Sequence, residues 1–232
     1  MGKRKNFEKR IIVSVTGHTA KDFEKKFTDV KKHKLRKVAL FLEYATPAAK
    51  KVIYESLPKS GIKEIPLVHI RNDTKKWELE YLKKKYGSEY FTIHECSFRR
   101  LEEWNGFHKE LYLEMNYDNR IWEIVNVQKI GGFCVDLSHF KAGEEKWSKD
   151  FEYVVKREGV KRYFKCNHLN GYNPKKNCDM HWIKNLKNFD YLETLPEFVF
   201  GNAIAIETYN SIEDQLKYKK YLVKLLNKKF NQ

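Results

Sequence analysis

Gly132-Phe-Cys-Val-Asp-Leu-Ser-His139 is the stretch on which the fold turns. Phe133, Val135 and Leu137 share one parity, while Cys134 and Asp136 share the other. Successive side chains of a strand point to opposite faces. One face is therefore wholly apolar. The other is small and uncharged until its C-terminal end, where a carboxylate appears. In a (β/α)8 barrel the apolar set meets the surrounding helices. The second set fills the interior and carries the chemistry at the C-terminal rim.

The same pattern recurs along the chain. Strand-like runs fall at Ile11–Val15, Val38–Tyr44, Ile65–Ile70, Tyr90–Glu95, Leu111–Asn116, Gly132–Leu137, Tyr163–His168 and Ala203–Glu207. Helical spacings lie between them, as at Phe23, Phe27 and Val30. Trp77, Tyr81 and Leu82 repeat the spacing, as do Trp147, Phe151, Val154 and Val155, and a last helix runs from Ile212 through Leu226. Breakers such as Pro47, Gly87, Gly106 and Gly159 separate the pieces. Eight strands alternating with helices in 232 residues predict an α/β fold, a single-domain TIM barrel over residues 1–232. An eight-stranded open sheet is the alternative. The side-chain parity favours the barrel.

Composition excludes several classes. Apolar residues make up 41% of the chain and aromatic residues 15%, too much for a disordered chain. The longest nearly apolar stretch, Phe198–Ile206, contains Gly201 and Asn202 and is too short to span a membrane. The basic start, MGKRKNFEKR, is followed by no apolar segment of signal-peptide length, so the expected compartment is the cytoplasm. Cys96, Cys134, Cys166 and Cys178 form no CxxC pair and do not force a disulfide framework. Cys96, Cys134 and Cys166 read as small fillers of the barrel interior. A net charge of +15 suits a polyanionic partner, although lysine is spread everywhere, including the C-terminal KLLNKKF.

The interior parity carries the functional signal. Val68, Ile70, Ile93, Leu113, Val135, Leu137, Ile204 and Ile206 form the apolar set. The opposite set ends in His69, His94, Glu114, Asp136, His168 and Glu207, above Leu67, Thr92, Tyr112, Cys134, Cys166 and Ala205. Six ionisable groups with no Lys or Arg among them are prohibitively costly to bury without a cation. His, Asp and Glu in this mixture are divalent-metal ligands. His139, Asp179 and His181 lie just beyond the sixth and seventh strands, on the face where the others collect.

Taken together, these motifs resemble the endonuclease IV family of apurinic/apyrimidinic endonucleases, within the xylose-isomerase-like barrel superfamily. IPLVHI and FTIHE match its early strand-end histidines, and LYLEMN its glutamate-bearing fifth strand. FCVDLSH, CNHLNG, DMH and IAIETYN match its later motifs in order. The resemblance implies three Zn²⁺ ions, although Mn²⁺ or Fe²⁺ would suit the same ligands. His69, His94 and Glu114 would hold the first ion. Glu114 would bridge to a second on Asp136, His168 and Glu207, and His139, Asp179 and His181 would hold the third. The implied reaction is hydrolysis of the phosphodiester 5′ to an abasic site in double-stranded DNA, by a monomer, with Glu114 and Glu207 orienting or deprotonating the attacking water. Arg71, Lys75, Lys76, Arg99, Arg100, Lys141, Lys175 and Lys176, on strand-end loops, would contact phosphates. Tyr172 and Trp182 flank the seventh-strand loop, where packing is the expected role and stacking on sugar or base the alternative.

The chain departs from that pattern in two places. Gly171 follows Asn170 where the family has Asp, and residues 71–76 lack its DNA-wedging segment. The rival is a sugar or sugar-phosphate isomerase or epimerase, which needs only Glu114, Asp136, His168 and Glu207 around one divalent metal. Its two glutamates would move a proton between carbons. A barrel that binds nucleic acid by charge alone would leave the ligands without purpose.

Overall fold

In the computed structural model, which describes residues 6–231, eight parallel strands close into a ring. The basic start at residues 1–5 lies outside the described residues. In chain order the strands are β1 (Ile11–Ile12 and Ser14–Val15), β2 (Ala39–Phe41), β3 (Leu67–His69), β4 (Tyr90–Ile93), β5 (Leu111–Leu113), β6 (Gly132–Asp136), β7 (Phe164–Leu169) and β8 (Ala203–Ile206). Each pairs with its sequence neighbour. β1 is interrupted at Val13 and joins both edges. Ile11 and Ile12 register with Ile204 and Ala205, while Ser14 and Val15 register with Ala39 and Leu40.

The seam is stitched by α7, the last helix. The helices are α1 (Phe7–Arg10), α2 (Ala20–Lys32), α3 (Pro47–Ser56), α4 (Lys76–Tyr86), α5 (Leu137–Lys146), α6 (Lys149–Val155) and α7 (Ile212–Phe230). Gln215 of α7 is fully buried. Its Oε1 accepts from Ser14 N at 2.7 Å and its Nε2 donates to Ser14 O at 3.2 Å. The Ser14 hydroxyl donates to the Ile206 carbonyl. Buried amides and hydroxyls this well satisfied hold one register against its neighbours.

Two apolar layers follow the parity read from the sequence. Val68, Ile93, Leu113, Val135, Ile204 and Ile206 pack outward under the helices. Ile12, Ala39, Phe41, Leu67, Tyr112, Cys134, Cys166, Ala203 and Ala205 fill the interior. Cys96 differs from the expectation. It sits in the 3₁₀ segment Glu95–Trp104 beyond β4, half-buried, accepting from Asn72 Nδ2 at 3.0 Å.

The repeats are not uniform. Among the described residues no α-helix follows β4, β5 or β7; the first is followed by the 3₁₀ segment, the second by an irregular loop through residue 126, and the third by an antiparallel hairpin (Gly171–Asn173 with Cys178–Met180) and two 3₁₀ segments. Trp147 does not share a helix with Phe151. It takes a left-handed conformation (φ 52°) that ends α5, and Ser148 caps α6. Its ring is 69% exposed, so helical spacing overstated its burial. Pro47 opens α3 at its first turn, where a missing N–H costs nothing. Gly132 has φ 149°, and a Cβ there would lie 2.4 Å from the Tyr163 carbonyl oxygen, so β6 approaches the turn before β7 as only glycine allows. Among the described residues, no helix is long and apolar enough to cross a membrane.

Candidate metal centre

The C-terminal rim gathers its polar side chains where the strand ladders end. His69 and Asp136 are the last residues of β3 and β6, and His168 lies inside β7. His94, Glu114 and Glu207 stand one residue beyond β4, β5 and β8. A seventh group joins them. Glu43 lies two residues past Phe41 of β2, on the interior parity. The period-two rule that found the other six applies to it equally, since Val38–Tyr44 was already read as a strand.

Among the described residues, three groups have ligand atoms all within 4.8 Å of one another: Glu114–Asp136–His168–Glu207, His69–His168–Glu207 and Glu43–His69–His94. His69 and His94 thus group with Glu43, and Glu114 groups with the β6–β8 residues. His139, Asp179 and His181 line the same cavity without forming such a group. Instead His181 Nε2 lies 2.9 Å from Asp179 Oδ2, and Tyr117 Oη donates to Asp179 Oδ1 at 3.0 Å. His139 Nδ1 lies 3.2 Å from the Met115 carbonyl oxygen, and its Nε2 lies 4.0 Å from Asp136 Oδ2.

Asp136 shows how the fold aims a ligand. Its Oδ1 accepts from Ser138 N and His139 N, both at 2.8 Å, and so caps α5. Its Oδ2 is buried without a hydrogen bond. Glu114 Oε2, both nitrogens of His69 and both nitrogens of His168 are likewise buried without one, the closest approach among them being the 3.0 Å ion-pair contact of His168 Nδ1 with Glu114 Oε2. Buried polar atoms in native proteins almost always have partners. Orphans on two imidazoles and two carboxylates, converging in one place, are the donor set of a divalent cation, so the residues fit the group that the sequence implies.

The electrostatics divide the rim. Burial pushes the Glu43 carboxyl up, but His69 and His94 outweigh it and hold it at about 2. Burial pushes His94 down, yet its 2.7 Å contact with Glu43 raises it to about 9. His69, fully enclosed, is lowered to about 4, chiefly by burial. Across the ring, Glu114 is held well below the usual carboxylate range. Burial opposes this, but His168, with Nδ1 at 3.0 Å, outweighs it. Glu207 is driven well above that range, first by burial and then by the charge of Glu114.

Glu43, His94, Glu114 and Glu207 open onto a cavity of about 540 Å³, also lined by Tyr44, Asn116, Tyr117, Asp118, Asn119 and Lys146, with His69 and His168 enclosed beneath it. Tyr117 and Lys146 carry no motif or periodicity that marks them in the sequence. Lys146 Nζ lies over the Tyr117 ring, 4.7 Å from its centre, and the Tyr117 hydroxyl holds Asp179. Of the basic residues read as phosphate contacts, Arg71 pairs with Asp73 (3.0 Å), Arg100 with Glu103 (2.5 Å) and Lys141 with Glu144 (2.8 Å) and Glu145 (2.7 Å). Arg99 lies over the Trp122 ring at 4.7 Å. Lys75, Lys175 and Lys176 are exposed on loops, and Lys76 is exposed as the first residue of α4. Tyr172 is buried, with Oη donating to Asn177 Oδ1 at 2.7 Å, whereas Trp182 is 61% exposed.

The architecture is that of a TIM barrel with an acidic and imidazole-rich centre at the active face. No protein-family model matches the chain, and no curated protein matches it. Among solved structures, it is similar to the crystal structure of a D-tagatose 3-epimerase-like protein, with a TM-score of 0.55. That match has 18% sequence identity and covers 95% of this chain and 98% of the other. At this identity the likeness establishes the barrel. The narrower likeness to endonuclease IV rests on its motifs alone.

Proposed function

We propose that this protein is a metal-dependent sugar isomerase or epimerase. The observation that carries the reading is the group Glu114–Asp136–His168–Glu207, four ligand-type side chains from four consecutive strands within 4.8 Å of one another. They would hold one divalent cation, which when bound polarises neighbouring carbonyl and hydroxyl oxygens of a substrate. The protein's own part is proton transfer. Glu114 and Glu207 stand on different strands around that space. One takes the proton from the carbon beside the sugar carbonyl, and the other returns a proton to the adjacent carbon or the opposite face. Asp136 and His168 hold the centre in place, with Asp136 oriented through its cap on α5.

A second reading has its own observation. His139, Asp179 and His181 line the same cavity, and a one-cation isomerase has no evident use for them. They favour the phosphodiesterase expectation, with up to three ions and DNA carrying an abasic or damaged site as substrate. The metal-loaded chain should be offered aldoses, ketoses and a duplex with one abasic site, with bound metal counted in parallel. Sugar interconversion with one tight ion per chain supports the isomerase. Nicking beside the abasic site with three ions replaces it.

A further inference from the structure

At the edge of the metal cavity, four aromatic rings follow one another in contact. Tyr44 lies 5.3 Å from His18, His18 lies 4.9 Å from Tyr209, and Tyr209 lies 5.9 Å from Trp182, centroid to centroid. Tyr209 also lies 5.5 Å from His181. Tyr44 and His181 line the metal cavity. His18, Tyr209 and Trp182 line a second cavity of about 440 Å³, so the two cavities meet along this ridge. Its ends stand in water: Tyr44 is 54% exposed and Trp182 61%. Large aromatic faces left exposed beside a polar cavity mark a surface shaped for a ligand.

The lining of the second cavity narrows the ligand. Lys25 and Lys26 stand there with Asp22, Asp29 and Asp214, two cations against three carboxylates. That near-balance selects neither an anion nor a cation. Asp22 and Asp214 are engaged in helix caps, at Thr19 and Ser211. Lys26 is 6% exposed and donates to the Asn210 carbonyl, one use of an ammonium that has three donors. Asp29 adds acceptors and Thr16 a hydroxyl. Donors and acceptors of both kinds beside aromatic faces suit a neutral, hydroxyl-rich ring whose C–H face packs on the aromatics. Three ring-to-ring steps exceed the width of a single sugar.

We propose that the second cavity is a subsite for the non-reacting ring of a two-ring carbohydrate, placed so that its reducing sugar reaches the metal centre across the Tyr44–His18–Tyr209–Trp182 ridge. This rests on the isomerase reading and names its substrate class. The test is calorimetric binding to the metal-loaded full chain of cellobiose, maltose and lactose, against glucose and galactose. At least one disaccharide should bind about tenfold tighter than its component sugars, the worth of one stacked ring. Trp182→Ala should remove that advantage and Trp182→Phe should restore it, with metal stoichiometry and monosaccharide affinity unchanged. If monosaccharides bind and turn over but no disaccharide binds more tightly, or if Trp182→Ala loses nothing, the subsite falls and the isomerase stands. Tighter binding of adenosine than of any sugar also overturns it. If no sugar binds and the abasic duplex is nicked, both readings fall together.

Discussion

The two halves of the rim solve the problem of buried charge differently. On the β2–β4 side, one carboxylate faces two imidazoles, and Glu43 and His94 neutralise each other at 2.7 Å. On the β5–β8 side, three carboxylates face one imidazole, and Asp136 and Glu114 each keep a buried oxygen without a hydrogen bond. The first half is close to balanced as it stands. The second carries excess negative charge that only a cation or protons can offset. Two faces of one ring can therefore share residue types and differ in how much charge they leave for a cation to offset.

The sharpest way to break this contrast is to neutralise one carboxylate on each side. Glu207→Gln should lower turnover about 10²- to 10⁴-fold, the usual worth of a positioned acid or base. A steady-state assay on the best sugar substrate measures it, and unchanged turnover would remove Glu207 from the chemistry. Asp136→Asn should weaken metal binding at least about hundredfold by calorimetry, since even partners behind the ligands contribute up to that much. Glu43→Gln, on the balanced side, should change the affinity for the same ion less than about tenfold. Equal losses for Asp136→Asn and Glu43→Gln would mean that the halves act as one site.

Stability should show the same asymmetry. Metal at a hundred times its Kd adds about 2.7 kcal/mol. For a chain of this length that raises Tm by roughly 5–10 °C, and a chelator should reverse it. Glu207→Gln should shrink the shift, and Glu43→Gln should leave most of it.

The smallest effect concerns Asp150, beneath the loop that follows β5. Burial, then the charges of Asp118 and Glu95, raise it to about 7. A carboxyl raised on folding binds its proton more tightly in the folded state. Its stabilisation is therefore full below the unfolded value near 3.8 and is lost as pH rises through 7. Asp150→Asn should flatten the change in denaturant midpoint between pH 5 and 8. A wild-type midpoint rising over that interval would contradict the assignment.

The barrel was legible because the strands are buried on both faces almost throughout and the parity holds at the rim, slipping only at the irregularity between Phe133 and Cys134, where Phe164 joins the outer layer and Cys166 the inner. Val135 and Cys134 belong to different layers, as alternation requires. The same rule placed His69, Glu114, Asp136, His168 and Glu207 around one space. Glu43 escaped although its parity is the same, because no early-strand histidine marked its run. Tyr117 and Lys146 were not legible for a different reason. They meet across an irregular loop and the end of α5, and no periodicity links residues that are joined only through tertiary contact. Trp147 was misplaced because helical spacing cannot register a single left-handed residue between two helices.

The seam at β1 has a consequence in time. Ser14 meets Gln215 across 201 positions of sequence, and Ile11 waits for Ile204. A chain leaves the ribosome from its N-terminus, so β1 exists long before either partner. Until the last strand and helix emerge, the growing sheet presents two unpaired edges, the feature that most invites association with other chains. A translation pause just before residue 203 should therefore be the point at which this protein most needs a chaperone.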